Sequence, residues 1–146
     1  MDLVLQTPDT QPPLRGWLDR HMRRIARLAQ APGGRITLLI TDDERMSQLH
    51  QQYRGEAGTT DVLTFDLRDE AEGSLEGDVV ICLDEARRQA RQRGHDVRME
   101  VLLYAVHGLL HLLGEDDQTP AEARRMHQRE DALLAQAGLE PVYAGR

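Results

Sequence analysis

Apolar residues recur at two spacings along this chain, and the switch between them marks its elements. Asp2–Gln6 alternates loosely between apolar and polar residues, the period-two pattern of a short edge strand. After a turn at Thr7–Gln11, Pro12-Pro13 opens a helix to about Gln30, with Leu14, Trp17, Leu18, Ile25 and Leu28 as its buried stripe. Pro32-Gly33-Gly34 stops it, and Arg35–Thr41 (RITLLIT) reads as a central strand. Thr41 or Asp42 caps the next helix, which starts with acids that suit its dipole and runs to about Tyr53. A loop over Gly55–Thr60 leads into a strand, Asp61–Asp66. A charged, hairpin-like connection over Leu67–Leu75 returns the chain to its partner strand, Glu76–Leu83. Asp84–Arg93 is a polar surface helix stopped by Gly94, with His95 exposed in the loop beyond.

The next segment differs from all of these. Behind Asp96 as its cap, a helix carries Leu102, Leu103, Val106, Leu109, Leu110 and Leu112 around most of its circumference, and such a helix is buried. Thr119-Pro120 starts the last helix, with Glu122 at capping-box spacing, and Gly138 ends it. The tail Leu139–Arg146 reads as loosely ordered. The order β–α–β–α–β–β–α–α–α implies an α+β, zincin-like domain over residues 1–146, a mixed four-stranded sheet packed against about five helices.

Composition narrows the partners. A net charge of −7 supplies no global field toward nucleic acid or an anionic membrane, so any RNA contact must be local. All 18 basic residues are arginine, which excludes a Schiff-base or P-loop lysine and leaves guanidinium forks for phosphate. Arg15, Arg20, Arg23, Arg24 and Arg27 read as a solvated face of the first helix. Cys82 stands alone, so there is no disulfide framework, and it reads as a small buried residue. The start, MDLVLQTPDT, is not a signal peptide, and no apolar stretch is long enough to span a bilayer. A soluble, cytoplasmic protein is expected.

Candidate chemistry lies in Val101–Asp117, VLLYAVHGLLHLLGEDD. At 3.6 residues per turn, His107 and His111 share one helix face, and two imidazoles so placed can grip a metal ion from one side. Such pairs also arise by chance, but a buried imidazole without a partner is costly, which favours ligation. Gly114 sits where the helix ends, letting the chain fold back so that Asp116 or Asp117 supplies a third ligand. The frame has the spacing of the metzincin signature, whose third histidine falls at Asp117. The metalloprotease general base, a Glu directly after the first His, is here Gly108. His127 is a rival third ligand. Arg54, at a helix exit, reads from position alone as a cation facing the helix dipole.

These motifs resemble the YbeY family of bacterial rRNA-maturation endoribonucleases. HGLLHLLGEDD is similar to the family pattern His-Gly-x-Leu-His-Leu-x-Gly-x-Asp-His. Upstream, Tyr53-Arg54 followed by Thr60-Asp61-Val62-Leu63-Thr64-Phe65 resembles Tyr-Arg … Pro-Thr-Asp-Val-Leu-Ser-Phe, and Gly77–Cys82 resembles a further strand motif. The resemblance implies a metal-dependent, single-strand-specific endoribonuclease for small-subunit rRNA 3′-end maturation and ribosome quality control. It implies one Zn²⁺ held by His107, His111 and Asp117, Arg54 as a phosphate-binding residue, and single-stranded rRNA, the small ribosomal subunit and ribosomal proteins as partners. Glu115 or Asp116 is then the candidate proton acceptor, with zinc-bound hydroxide acting unaided as the alternative. Two departures stand out. Asp117 replaces a histidine, which widens the choice of metals. Ala57-Gly58-Thr59 and His50 replace family residues, so a more mobile loop is expected there. The alternatives are a ribosome-assembly factor with a structural metal and a metallopeptidase.

Overall fold

The computed structural model describes residues 1–69 and 73–143. Among them the elements run β1 (Asp2–Gln6), α1 (Arg15–Leu28), β2 (Gly34–Thr41), α2 (Asp43–Arg54), β3 (Val62–Asp66), β4 (Leu75–Cys82), α3 (Leu83–Arg93), α4 (Val97–Leu112) and α5 (Pro120–Gln136). The α+β class, the four strands and the five helices agree with the sequence reading. The sheet order is β1-β2-β4-β3, with β1 and β2 parallel, β2 and β4 parallel, and β3 antiparallel to β4. β1 is an edge, β2 is central, and β3 forms the opposite edge.

Strand side chains alternate between two cores, as a period of two requires. Ile36, Leu38 and Ile40 of β2 and Leu75, Val79 and Ile81 of β4 face the larger core with α1, α4 and α5. Val80, Cys82 and Leu63 face a smaller cluster closed by Met46 of α2. Cys82 is fully buried as expected, and burial pushes its thiol pKa up.

The buried helix α4 lies unusually close to the sheet. A Cβ on Gly108 would stand 2.6 Å from Val79 Cγ1, and one on Gly77 would stand 2.6 Å from Leu112 Cδ2. Two glycines, one on each surface, therefore let the C-terminal half of α4 settle against β4 and reach the β3 edge. The helix ends are capped as the sequence implies. Asp42 accepts from the Arg45 N–H, Asp96 from the Arg98 N–H, and Thr119 and Glu122 form a reciprocal capping box.

Four local readings change. The first helix starts at Arg15 rather than Pro12-Pro13, because a residue preceding proline is driven out of the helical region. Its buried stripe is Leu18, Met22, Ile25 and Ala26; Leu28 falls off that face and is 37% exposed. His95 is half-buried, its Nε2 lying 2.6 Å from Oε1 of the fully buried Glu100. The tail is anchored as far as Tyr143: the N–H groups of Val142 and Tyr143 donate to Asp131 Oδ1, and Val142 is buried. The rest of the expected tail, residues 144–146, and part of the expected hairpin connection, residues 70–72, lie outside the described residues.

Candidate metal centre

The site is assembled where α4 ends. Gly114, at φ 98°, takes the left-handed conformation that lets the chain reverse. The Glu115 N–H donates to the Leu110 carbonyl and the Gly114 N–H to the His111 carbonyl, the paired bonds of a Schellman turn. This turn does more than stop the helix. Its Glu115 carbonyl lies 3.0 Å from His111 Nδ1, and the reversed chain carries Asp117 back over both imidazoles.

The three predicted ligands meet. His107 Nε2 and His111 Nε2 are 3.1 Å apart, and Asp117 Oδ2 lies 3.2 Å from the first and 3.5 Å from the second. They form the one group of three or more metal-ligating side chains found among the described residues.

Proton bookkeeping makes this convergence informative. A carbonyl only accepts, so His111 Nδ1 carries a hydrogen. His107 Nδ1 lies 2.5 Å from Glu130 Oε1, a carboxylate oxygen, so it too is the donor. In the neutral rings both Nε2 atoms therefore present lone pairs, to each other and to an aspartate oxygen. Such a triad is repulsive unless a cation or a proton lies between its members. Ligand separations around a tetrahedral zinc ion are roughly 3.3–3.6 Å for bonds of about 2.0–2.2 Å; the 3.5 Å edge falls in that span and the 3.1 and 3.2 Å edges lie just under it. Two imidazoles and one carboxylate also form a known donor set for catalytic zinc.

Burial pushes the His107 pKa down, but the hydrogen bond and charge of Glu130, with the charge of Asp117, more than offset it, and the net shift is upward.

Glu130 was not read from the sequence. It is fully buried on α5, between Met126 and the pair Leu133 and Leu134 on that helix's apolar stripe. A carboxylate in an apolar stripe is the signal that could have found it. Its Oε2 lies 3.2 Å from His127 Nδ1, so His127 belongs to the supporting layer and is not a member of the triad.

An open cleft of about 510 Å³ exposes the triad, and Arg54, Asp116 and Gln118 line it together with Thr64 of the β3 edge. Arg54, the last residue of α2, is thus on the same cleft as His107, His111 and Asp117. Of the two candidate proton acceptors, Asp116 lines this cleft and Glu115 does not. In the loop after α2, His50 Nδ1 lies 3.0 Å from the Gly58 carbonyl, and its Nε2 lies 3.2 Å from Glu56 Oε2. No described helix is long and apolar enough to cross a membrane.

Comparison with known proteins agrees with the motifs. A family model described as Endoribonuclease YbeY matches residues 6–138. The protein named Endoribonuclease YbeY of Anaeromyxobacter sp. (strain Fw109-5) is 44% identical over 125 residues, covering 82% of this chain and 65% of its own. Its namesake in Desulfitobacterium hafniense (strain Y51) is 36% identical over 136 residues, 86% of this chain and 87% of that one. The namesake in Geobacillus thermodenitrificans (strain NG80-2) is 35% identical over 133 residues, 84% and 85% of the two chains. The solution structure of TM1509 from Thermotoga maritima superposes with a TM-score of 0.62 at 21% identity, covering 100% of this chain and 99% of that one, which shows a shared fold.

Proposed function

This chain belongs to the YbeY family of endoribonucleases, and from that membership we propose a zinc-dependent, single-strand-specific endoribonuclease acting in small-subunit rRNA 3′-end maturation and ribosome quality control. The observation that carries this reading is the meeting of His107 Nε2, His111 Nε2 and Asp117 Oδ2 on an open cleft beside Arg54. Those three side chains would hold one ion at the wall of the cleft. Bound there, zinc would supply Lewis acidity toward a phosphoryl oxygen and lower the pKa of water.

The remaining roles belong to the chain. Glu130 and the Glu115 carbonyl hold the two rings with Nε2 toward the cleft. Arg54 clamps a non-bridging phosphate oxygen and stabilises charge developing on it. Asp116, which lines the same cleft, is the candidate acceptor of a proton from the attacking group. With no positive global field, substrate is held by these local contacts, and the partner is single-stranded rRNA of the small subunit, met in the cytoplasm.

Two rival readings lose support on specific contacts. A metallopeptidase needs a Glu directly after the first histidine, but Gly108 is buried with its Cβ direction 2.6 Å from Val79 Cγ1, where no longer side chain fits. A structural staple needs a fourth protein ligand. His127, the candidate for that position, is not among the side chains whose ligand atoms converge here.

The test combines metal analysis of purified protein with cleavage of a single-stranded rRNA 3′ fragment. Wild type should retain about one zinc ion per chain and cut the fragment, as one open three-ligand site implies. His111→Ala should lose both metal and cleavage. Arg54→Ala should keep its zinc and cut about 100-fold more slowly, the scale for losing one donor to developing charge. Full cleavage by metal-free His111→Ala would remove the mechanism.

A further inference from the structure

A second cleft, of about 560 Å³, adjoins the triad at His107 and Asp117. It shares Thr60, Asp61, Val62, His107 and Asp117 with the first, so the metal centre lies where the two meet. An endonuclease cuts within a strand and must therefore accommodate a nucleotide on each side of the scissile phosphate. The Arg54 cleft serves one side.

The second cleft has different chemistry. His127 and Tyr143 stack in its wall, ring centroids 3.8 Å apart and planes inclined by 29°. The Arg93 guanidinium lies 5.4 Å from the Tyr143 centroid and is ion-paired to buried Glu100 at 2.9 Å. The stack is held at both ends, by Glu130 on His127 Nδ1 and by Asp131 on the Tyr143 N–H. The His127 side chain, 39% exposed, is a member of the stack that solvent reaches. Asp61, Glu85 and Asp117 also line this cleft, and Arg93 is already neutralised by Glu100. Such a wall repels a phosphate but accepts a neutral, planar, polarisable group.

We propose that this cleft seats the nucleoside on one side of the scissile phosphate, with its base stacked on His127. The inference rests on the endoribonuclease reading and adds a substrate-binding role for a residue outside the metal triad. Base stacking on an aromatic ring tolerates any base, so the seat favours unpaired strand without selecting sequence.

The test uses the full, zinc-loaded chain and a fluorescent single-stranded RNA, together with two versions lacking the base immediately 5′ or immediately 3′ of the cut. One of the two abasic substrates should raise the wild-type KM about tenfold, the scale of one lost stacking partner. His127→Ala should raise KM for the intact RNA to the same extent and gain no further loss from that abasic site, because both changes remove one contact. His127→Phe keeps a ring but loses the Nδ1 bond to Glu130, and it should restore KM. The inference is overturned if His127→Phe is as weak as His127→Ala, if both abasic substrates behave as intact RNA, or if the two losses multiply. A zinc-loaded wild type that cuts no single strand would instead sink the endoribonuclease reading, and this seat with it.

Discussion

Glu130 Oε1 stands 2.5 Å from His107 Nδ1, and this one contact determines which nitrogen of the ring faces the cleft. The carboxylate takes the Nδ1 hydrogen, which leaves the Nε2 lone pair for a cation. It lies on α5, 23 residues downstream of its partner, so the packing of the last helix and the readiness of the metal site are one arrangement. Glu130→Gln preserves side-chain volume but withdraws the charge that raises the ring's basicity. Zinc affinity, measured by competition with a chromogenic chelator, should fall about 10- to 100-fold. Unchanged affinity would mean that the buried carboxylate serves α5 packing alone.

The raised pKa of His107 gives the chelated and loaded proteins opposite pH responses. Its folded-state value lies above the ordinary 6.5, so in chelated protein its contribution to stability is complete below pH 6.5 and is lost as pH rises through the folded value. In loaded protein the same proton competes with the metal, so zinc affinity climbs with pH over that window. The gap in melting temperature between zinc-saturated and chelator-treated samples should therefore widen from about pH 5.5 to about pH 8. A constant gap would show that proton and metal do not share His107 Nε2.

Gly108 is tested by the smallest possible addition. Alanine there improves helix propensity by about 1 kcal/mol, but its Cβ would meet Val79 Cγ1 at 2.6 Å and Cγ2 at 2.8 Å. Val79 is β-branched, fully buried and fixed in β4, so it has no alternative rotamer into open space. Overpacking of this kind costs about 1–3 kcal/mol, and it outweighs the propensity gain. Urea denaturation of Gly108→Ala should show a net loss. In the double variant with Val79→Ala the two losses should sum to less than their separate values, because the second change removes the methyls that clash.

The helical frame and the convergence of three of the four candidate site residues were legible because they depend on near neighbours. His107 and His111 lie one turn apart, Gly114 ends their helix, and Asp117 follows within the reversing turn, so local geometry alone brings them together. Asp96 and Thr119 were readable as caps for the same reason, and Asp42 as one of two candidates with Thr41. Arg54 took its proposed role from family resemblance, since nothing within its own helix says that the cleft lies beside it. What escaped was set by contacts between distant segments. Glu130 meets His107 only after α5 packs, the tail is anchored by Asp131, and His95 is drawn inward by Glu100. His50 carried no helical signal for its bond to the Gly58 carbonyl, which forms across the α2–β3 loop.

Asp117 offers the sharpest test of ligation, because replacing it by histidine should leave a working site with changed chemistry. Its carboxylate is 38% exposed and lies beyond the end of α4, so a longer side chain can swing without disturbing the core. A neutral imidazole in place of a carboxylate leaves one more unit of positive charge at the ion, which should acidify the water held there. The acid limb of the pH–rate profile for RNA cleavage should then move to lower pH in Asp117→His. A third nitrogen ligand should also sharpen the preference for zinc over manganese, since imidazole suits zinc while carboxylate suits harder ions. Asp117→Ala separates ligation from a mere change of surface charge, because it removes the donor and should lose zinc, whereas Asp117→His should keep it. If all three proteins retained zinc equally and shared one acid limb, Asp117 would stand beside the ion without binding it.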